Sequence, residues 1–274
     1  MIFKITDIIK DAGNGEWNED DIIITPDCIA VIDGATSIKK IGFEGHETYA
    51  KWLVQEFKKN FLAEYKSECH IPSYVKQCID AIIRKYPLPD ISFYQKPTFT
   101  FSAIQIVGSS LKCFTIGDCS IYIKEKNNSK IVTVYDKRVD KFSHRTLLQL
   151  QYAKRNNLDI ESHIRETRIT NLNYRNKPDG FWVVGYDGNF EDEFIEKEFD
   201  IRHADSFLIC SDGFNRAFKE FALYTPMDFF THKINFKQAL DAIRKYEEAN
   251  HEAPDFPCVK RSDDVSAVLF TTVS

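Results

Sequence analysis

The sequence predicts an α+β fold in which antiparallel sheets carry helices on their outer faces. Two observations favour this class: apolar and polar residues alternate along several short segments, and other, longer segments carry apolar residues at helical spacing. Along the 274 residues these segments come in the order hairpin, helices, meander, strand, helix, strand. With no linker or internal repeat between them, we expect a single domain over residues 1–274.

The N-terminal part of the chain is predicted to be a hairpin followed by two helices. Residues 1–12 are expected to form a strand or a short helix, and residues 21–33 read as two strands around a Thr-Pro-Asp turn. Apolar residues then recur at helical spacing over residues 44–65 and 72–86, and Pro72 stands near the start of the second helix.

Strand patterns return in the second half of the chain. Residues 98–135 alternate between apolar and polar side chains, which indicates an antiparallel meander. Residues 141–180 are polar, with a helix expected at 143–156, and a further helix is expected at 235–250. The remaining strand-like segments are "GFWVVG", "SFLICSDGF" and the terminal "RSDDVSAVLFTTV".

Composition excludes several classes of function. The chain is 43% hydrophobic with a net charge of -5, so it lacks the basic excess of a nucleic-acid-binding protein. No apolar stretch approaches the roughly 20 residues of a membrane span, and the N-terminus lacks the features of a signal peptide. The seven scattered cysteines contain no C-x-x-C pair, which favours reduced thiols. We therefore expect a cytoplasmic protein without a nucleic-acid or membrane partner.

The clearest functional signal is a set of aspartates at predicted strand ends. Its members are Asp20 in "NEDDIII", Asp33 in "AVIDGA", Asp118 in "TIGDCS", Asp212 in "ICSDGF" and Asp263 in "SDDVSA". Taken singly, an aspartate at a strand end is more often a turn residue or a helix cap. As a set, carboxylates suit the hard cations Mg²⁺ and Mn²⁺, and shared cations would offset their repulsion.

These motifs, in this order, resemble the metal-dependent type 2C family of serine/threonine protein phosphatases. The resemblance rests on "NED", "VIDGA", "IGDCS", "SDG" and "DDVSAVLF", and it spans residues 18 to 270. It implies a four-layer αββα sandwich, two antiparallel sheets flanked by helices. It also implies a variable flap-like segment around 141–180.

The resemblance further implies a site with two divalent cations, Mn²⁺ or Mg²⁺, and in some members a third. Asp33 would bridge both cations and Gly34 would contribute its carbonyl oxygen. Asp212 and Asp263 would complete the shell of one cation. Asp118 corresponds to a position that helps some members to hold the weaker third cation.

In such a site Asp20 would orient the water that attacks phosphorus, with Asp33 as the second catalytic carboxylate. The implied partner is a phosphorylated protein, a cognate kinase or one of its targets. The reaction would be hydrolysis of phosphoserine or phosphothreonine without a phosphoenzyme.

Four positions depart from the family pattern. Gly15 stands where many members carry the arginine that grips the substrate phosphate, and Ala35 replaces a histidine of animal-type members, which favours the bacterial-like branch. Arg216 stands where many members have an aspartate, which weakens the case for a third cation, and Asp264 replaces the usual asparagine. The substrate-binding residue is left open, and the candidates to replace the missing arginine are Arg138, Arg145 and Arg175.

Two alternatives stay open. A pseudophosphatase that keeps the fold and binds a partner is favoured by the missing arginine, but the retained Asp20, Asp33, Asp212 and Asp263 argue against it. An unrelated phosphohydrolase with an aspartate nucleophile would require Asp-x-Asp after the first strand, which "DGATS" does not provide.

Overall fold

The strands alternate with three groups of helices along the chain. The structure, a computed structural model, describes residues 2–35, 45–46, 48–126, 130–186 and 188–273. The strands are β1 (Ile2–Asp11), β2 (Asp21–Ile24), β3 (Cys28–Ala35), β4 (Thr98–Val107), β5 (Ser110–Ile116), β6 (Ser120–Glu125), β7 (Ile131–Val134), β8 (Val184–Gly185), β9 (Ile195–Asp200), β10 (Ala204–Cys210) and β11 (Val265–Val273). The helices are α1 (Tyr49–Glu64), α2 (Ile71–Lys85), α3 (Asp140–Arg155), α4 (Ile160–Leu172), α5 (Asp212–Asn215), α6 (Pro226–Phe230) and α7 (Phe236–Asn250).

The strands form two antiparallel sheets. One sheet has the order β1-β11-β10-β6-β7, and the other has the order β2-β3-β4-β5-β9, with β8 paired to β4. Apolar side chains from both sheets, among them Val31, Ile104, Phe207 and Phe270, pack against each other in the middle of the molecule. Because both inner faces are apolar, the sheets stack face to face as in a sandwich.

Helices cover the outer face of each sheet. Trp52 and Phe57 of α1 pack on the sheet that contains β3 and β4, together with α2. Phe214 and Phe236, from α5 and α7, pack against β10 and β11 of the other sheet. The predicted four-layer αββα arrangement is therefore confirmed.

Local signals set the ends of the helices. Thr48 caps α1, since its hydroxyl accepts a hydrogen bond from the Lys51 backbone N–H at 3.1 Å. Pro72 lies in the first turn of α2, as the sequence predicted. No helix in the part of the chain that the structure describes is long and apolar enough to cross a membrane. The seven cysteines are free thiols.

The sequence predictions were incomplete at four places. The meander predicted over 98–135 is divided between the two sheets, because the chain leaves β5 through Gly117-Asp118 and enters β6 in the other sheet. The polar segment 141–180 contains α4 in addition to the predicted helix, and β9 was not predicted. The apolar run "GFWVVG" forms only the short β8. The first strand, predicted as a strand or a helix, is β1.

Candidate functional site

Asp20 and Asp33 face each other across neighbouring strands. Asp21 pairs with Ile32 in the β2–β3 hairpin, so the next residues outward, Asp20 and Asp33, lie opposite one another. The sequence placed Asp33 at a strand end before a turn, but β3 continues through Gly34 to Ala35, paired along β4. The Asp-Gly pair is therefore part of the sheet.

Asp118, Asp212 and Asp263 reach the same edge from the other sheet. Asp118 precedes β6, Asp212 follows β10 and Asp263 precedes β11. The first residue of β6 pairs with the last residue of β10, which in turn pairs with a residue near the start of β11. Antiparallel pairing thus brings three segments far apart in sequence to one edge, as the motif order predicts.

Asp20 and Asp33 have the most strongly raised pKa values of the five aspartates. Burial, followed by the charge of Asp264, raises the pKa of Asp20 well above its usual range. Burial and the charge of Asp20 raise the pKa of Asp33 in the same way. Both side-chain oxygens of Asp20 are buried without a hydrogen-bond partner, although the Ser211 hydroxyl is near enough to offset part of the shift. Buried acids of this kind are what a bound cation would compensate.

The pKa values of two further aspartates of the set, Asp118 and Asp212, shift in the same direction. Burial raises the pKa of Asp118. Burial and the charges of Asp263 and Asp118 raise the pKa of Asp212 to about 7. Asp212 therefore titrates near neutral pH, because it shares a confined region with other carboxylates.

Asp263 differs from the rest because it is ion-paired. Its Oδ2 accepts a hydrogen bond from Arg216 Nη2 at 3.0 Å, and its Oδ1 accepts one from Lys260 Nζ at 2.6 Å. Burial alone would raise the pKa of Asp263, but Lys260 and Arg216 outweigh it and hold the pKa below its usual range.

The "NED" motif also ties the two sheets and α1 together. Glu19 accepts a hydrogen bond from the Thr48 hydroxyl at 2.6 Å, and its backbone N–H donates to Asp264 Oδ2 at 2.7 Å. Burial raises the pKa of Asp264 to about 6. Gly34 fits under Glu19, since a Cβ at Gly34 would lie 2.6 Å from the Glu19 carbonyl oxygen. A glycine is therefore required here by the close approach of two backbones.

A cleft of about 620 Å³ opens beside the acids. Asp118, Asp212 and Asp263 line it together with basic side chains from several elements, which are Arg168, Arg216, Lys219 and Lys260. Arg168, on α4, also lines an adjoining smaller cleft that includes Ala35. Burial lowers the pKa of Arg168, while the charges of Asp263 and Glu19 act against the shift. Positive charge thus lies next to the aspartates.

The three arginines proposed to replace the missing one hold other groups. Arg138 donates to Asp136 and Glu193. Arg145 donates to Asn171 at 3.2 Å and lies over aromatic rings of the flap. The remaining one, Arg175, is buried, donates to a backbone carbonyl at 2.7 Å and lies over an aromatic ring. At Gly15, the usual arginine position, the backbone N–H donates to the Ala12 carbonyl within a turn.

The five aspartates lie near one another, but their side chains are not arranged as a complete metal-binding site. Within the described ranges, no three His, Cys, Asp or Glu side chains converge closely enough to hold a metal ion as they stand. The donor set is nevertheless made of oxygens, which hard divalent cations prefer, and the buried oxygens of Asp20 have no partner. On these grounds the residues fit a divalent cation. Asp263 is the exception, because it is already paired with Lys260 and Arg216.

Sequence reasoning missed the basic half of the site. Lys260 lies three residues before Asp263 in "VKRSDD", so its nearness in sequence was a usable signal. Arg168 lies in the segment 141–180. The helix α4 that carries it was not predicted, so the direction of its side chain could not be inferred. Glu247 and its partner Arg216 carried no local signal, since they lie on separate helical segments and meet only in the folded chain.

Comparisons with known proteins agree with the fold. The family model described as Protein phosphatase 2C matches residues 11–252. No curated protein sequence matches the chain.

Solved bacterial phosphatases share the fold at low identity. PppA of Pseudomonas aeruginosa is 16% identical with a TM-score of 0.56, covering 100% of this chain and 99% of its own. The phosphatase Stp1 of Staphylococcus aureus is 16% identical with a TM-score of 0.54, covering 99% and 96%. The catalytic domain of PstP, known from Mycobacterium tuberculosis, in complex with two manganese ions is 14% identical with a TM-score of 0.53, covering 100% and 99%.

Proposed function

Because the chain belongs to the protein phosphatase 2C family of serine/threonine phosphatases, we propose that it is a Mn²⁺- or Mg²⁺-dependent phosphoprotein phosphatase. The observation that carries the proposal is the acid cluster, in which five aspartates from separate segments meet at one edge of the sandwich. Asp20 supports it most directly, because both of its buried oxygens lack a partner in a region of negative charge. We propose further that the whole chain acts as a single phosphatase domain, in the cytoplasm, on a phosphorylated protein such as a kinase or its target.

The proposed ligands are Asp33, the Gly34 carbonyl oxygen, Asp212 and Asp263, with Asp118 available to a third cation. When bound, such cations supply an activated water and stabilise the phosphoryl oxygens. Asp20 is proposed to accept a hydrogen bond from the attacking water and so to orient it toward phosphorus. Its unpartnered oxygens leave it free to do so.

Arg168 is proposed to bind the substrate phosphate in place of the arginine that is missing at Gly15. It lines both clefts beside the acids, and it is carried by the flap rather than by the "NED" segment. A guanidinium in a partly desolvated site is well suited to a phosphate, since it donates two parallel hydrogen bonds.

One observation favours the alternative of a weak or inactive pseudophosphatase. Asp263 carries Lys260 and Arg216 on its two oxygens, so a cation has to compete for this ligand. Such a protein would use the same cleft to bind a phosphorylated partner without hydrolysing it.

Hydrolysis of p-nitrophenyl phosphate and of phosphoserine and phosphothreonine peptides separates the two. We expect activity with Mn²⁺ or Mg²⁺, loss of activity with a chelator, and at least a 100-fold lower kcat for Asp33→Asn. Asp241→Asn, an exposed aspartate on α7, is the matched control and should retain activity. A rate independent of metal, or unaffected by Asp33→Asn, would contradict the phosphatase mechanism. Phosphopeptide binding without turnover would support the alternative.

A further inference from the structure

One proposed metal ligand, Asp263, is already paired with two positively charged side chains. Arg216 and Lys260 each occupy one carboxylate oxygen of Asp263, at 3.0 Å and 2.6 Å. Each oxygen keeps a free lone pair, but a metal ion bound there would lie next to the two positive charges, which oppose its binding. The two cations differ in how readily they can move.

Arg216 is fixed in place. Its side chain is 7% exposed, and its Nη1 donates to Glu247 Oε1 at 2.7 Å; the Glu247 side chain is only 1% exposed. Glu247 is held in turn by Ser262 Oγ at 2.6 Å and by Arg244 at 2.9 Å, and Arg244 also donates to the Asp263 backbone carbonyl at 2.8 Å. Moving Arg216 away would leave a buried carboxylate with less compensation, which is costly.

Lys260 is the more exposed of the two cations. Its side chain is 45% exposed, and it lies on the rim of the same cleft, three residues before Asp263. The charges of Asp263 and Asp212 hold its ammonium and raise the pKa of Lys260. A divalent cation bound to the same carboxylates would offset this attraction, and an ammonium on a partly exposed stem can be rehydrated when it leaves.

We infer that Lys260 is an exchangeable counterion of Asp263, which sets the affinity of the site for divalent cations, while Arg216 is a permanent one. The inference rests on the proposed function, because it presumes that Asp263 is a metal ligand. Lys260 holds Asp263 in position in the metal-free protein, and its ion pair with Asp263 breaks when a divalent cation binds. Lys260 is thus a positioning residue, and its removal should strengthen cation binding rather than weaken it.

Calorimetric titration of Mn²⁺ into the metal-free full chain tests this. We expect Lys260→Met to lower the Kd for Mn²⁺ by about tenfold or more. Coulomb repulsion between a unit charge and a divalent cation roughly 5 Å apart reaches that size even at the dielectric constant of water. Lys260→Arg, which keeps the charge, should retain the Kd of the wild type. Lys233→Met removes an exposed lysine that pairs with Asp228, and it is the matched control.

Two outcomes would overturn the inference and leave the proposed function intact. An unchanged or higher Kd in Lys260→Met would show that Lys260 does not compete for Asp263. A Kd that falls equally in Lys233→Met would assign the effect to overall charge. If neither the wild type nor Lys260→Met binds Mn²⁺, the proposed function fails together with the inference. If both bind it with the same Kd, the inference alone fails.

A second variant tests the role assigned to Arg216. The double change Arg216→Met with Glu247→Met removes both members of the buried pair, so that neither charge is left alone. Because the inference assigns no exchange to Arg216, this double change should lower the Kd for Mn²⁺ less than Lys260→Met does. Circular dichroism and urea unfolding establish that each variant is folded before titration, and a Kd that falls further in the folded double variant than in Lys260→Met would overturn the assignment of Lys260 as the exchangeable cation.

Discussion

Neutralising Asp212 should stabilise the metal-free protein, most strongly at alkaline pH. Asp212→Asn keeps the size of the side chain and removes a negative charge that burial and the neighbouring Asp263 and Asp118 make unfavourable. The pKa of Asp212 is raised from 3.8 to about 7 in the folded protein. Between these two values the folded state binds more protons than the unfolded chain, so the free energy of unfolding falls as pH rises through this window.

The size of the effect follows from the same shift. The variant should gain about 4 kcal/mol at pH 8 and about 2 kcal/mol at pH 5 relative to the wild type, since each pKa unit corresponds to about 1.4 kcal/mol. The assay is urea unfolding with a chelator at both pH values, followed by the fluorescence of the buried Trp52 and Trp182. Asp241→Asn, exposed on α7, serves as the control.

Divalent cations should narrow the difference in stability between Asp212→Asn and the wild type. At a Mn²⁺ concentration 100 times the Kd, binding stabilises the wild type by about 2.7 kcal/mol. Asp212→Asn should gain much less, because it lacks a proposed ligand. A variant that is no more stable than the wild type at pH 8 without metal would refute the argument that Asp212 carries an unfavourable charge. A variant that gains as much from Mn²⁺ as the wild type would refute its role as a ligand.

Three further outcomes are expected. Gly34→Ala should lower the free energy of unfolding by about 2 kcal/mol or more, measured by urea unfolding, because its Cβ would lie 2.6 Å from the Glu19 carbonyl oxygen; an unchanged midpoint would contradict this close approach. Glu247→Gln should cost about 3 kcal/mol or more in the same measurement, since it removes the charge that Arg216 meets in the interior, and a loss below 1 kcal/mol would argue against a tight pair. Arg168→Met should raise KM for a phosphopeptide about tenfold or more with little change in the thermal midpoint, and an unchanged KM would remove Arg168 from phosphate binding.

Local patterns in the sequence were sufficient for most of the architecture. The β2–β3 hairpin, the amphipathic α1 and α2, and the strands β10 and β11 all follow from periodicity within short windows. The four-layer arrangement came from the order of the aspartate motifs and the resemblance they carry. Periodicity did not predict the polar helix α4 or the strand β9. Both segments contain many charged and few apolar side chains, so their patterns were weak.

The sequence by itself determined which carboxylates to consider, because each one follows or precedes a recognisable strand. It also determined that Gly15, Ala35 and Arg216 depart from the family pattern. What it could not determine is which cation meets which acid. Arg216 and Glu247 are 31 residues apart, and Arg216 and Asp263 are 47 apart. Pairs of this kind depend on how α7 and the segment before β11 pack against the sheet. Only the tertiary structure could therefore decide that Asp20 is left without a partner while Asp263 has two.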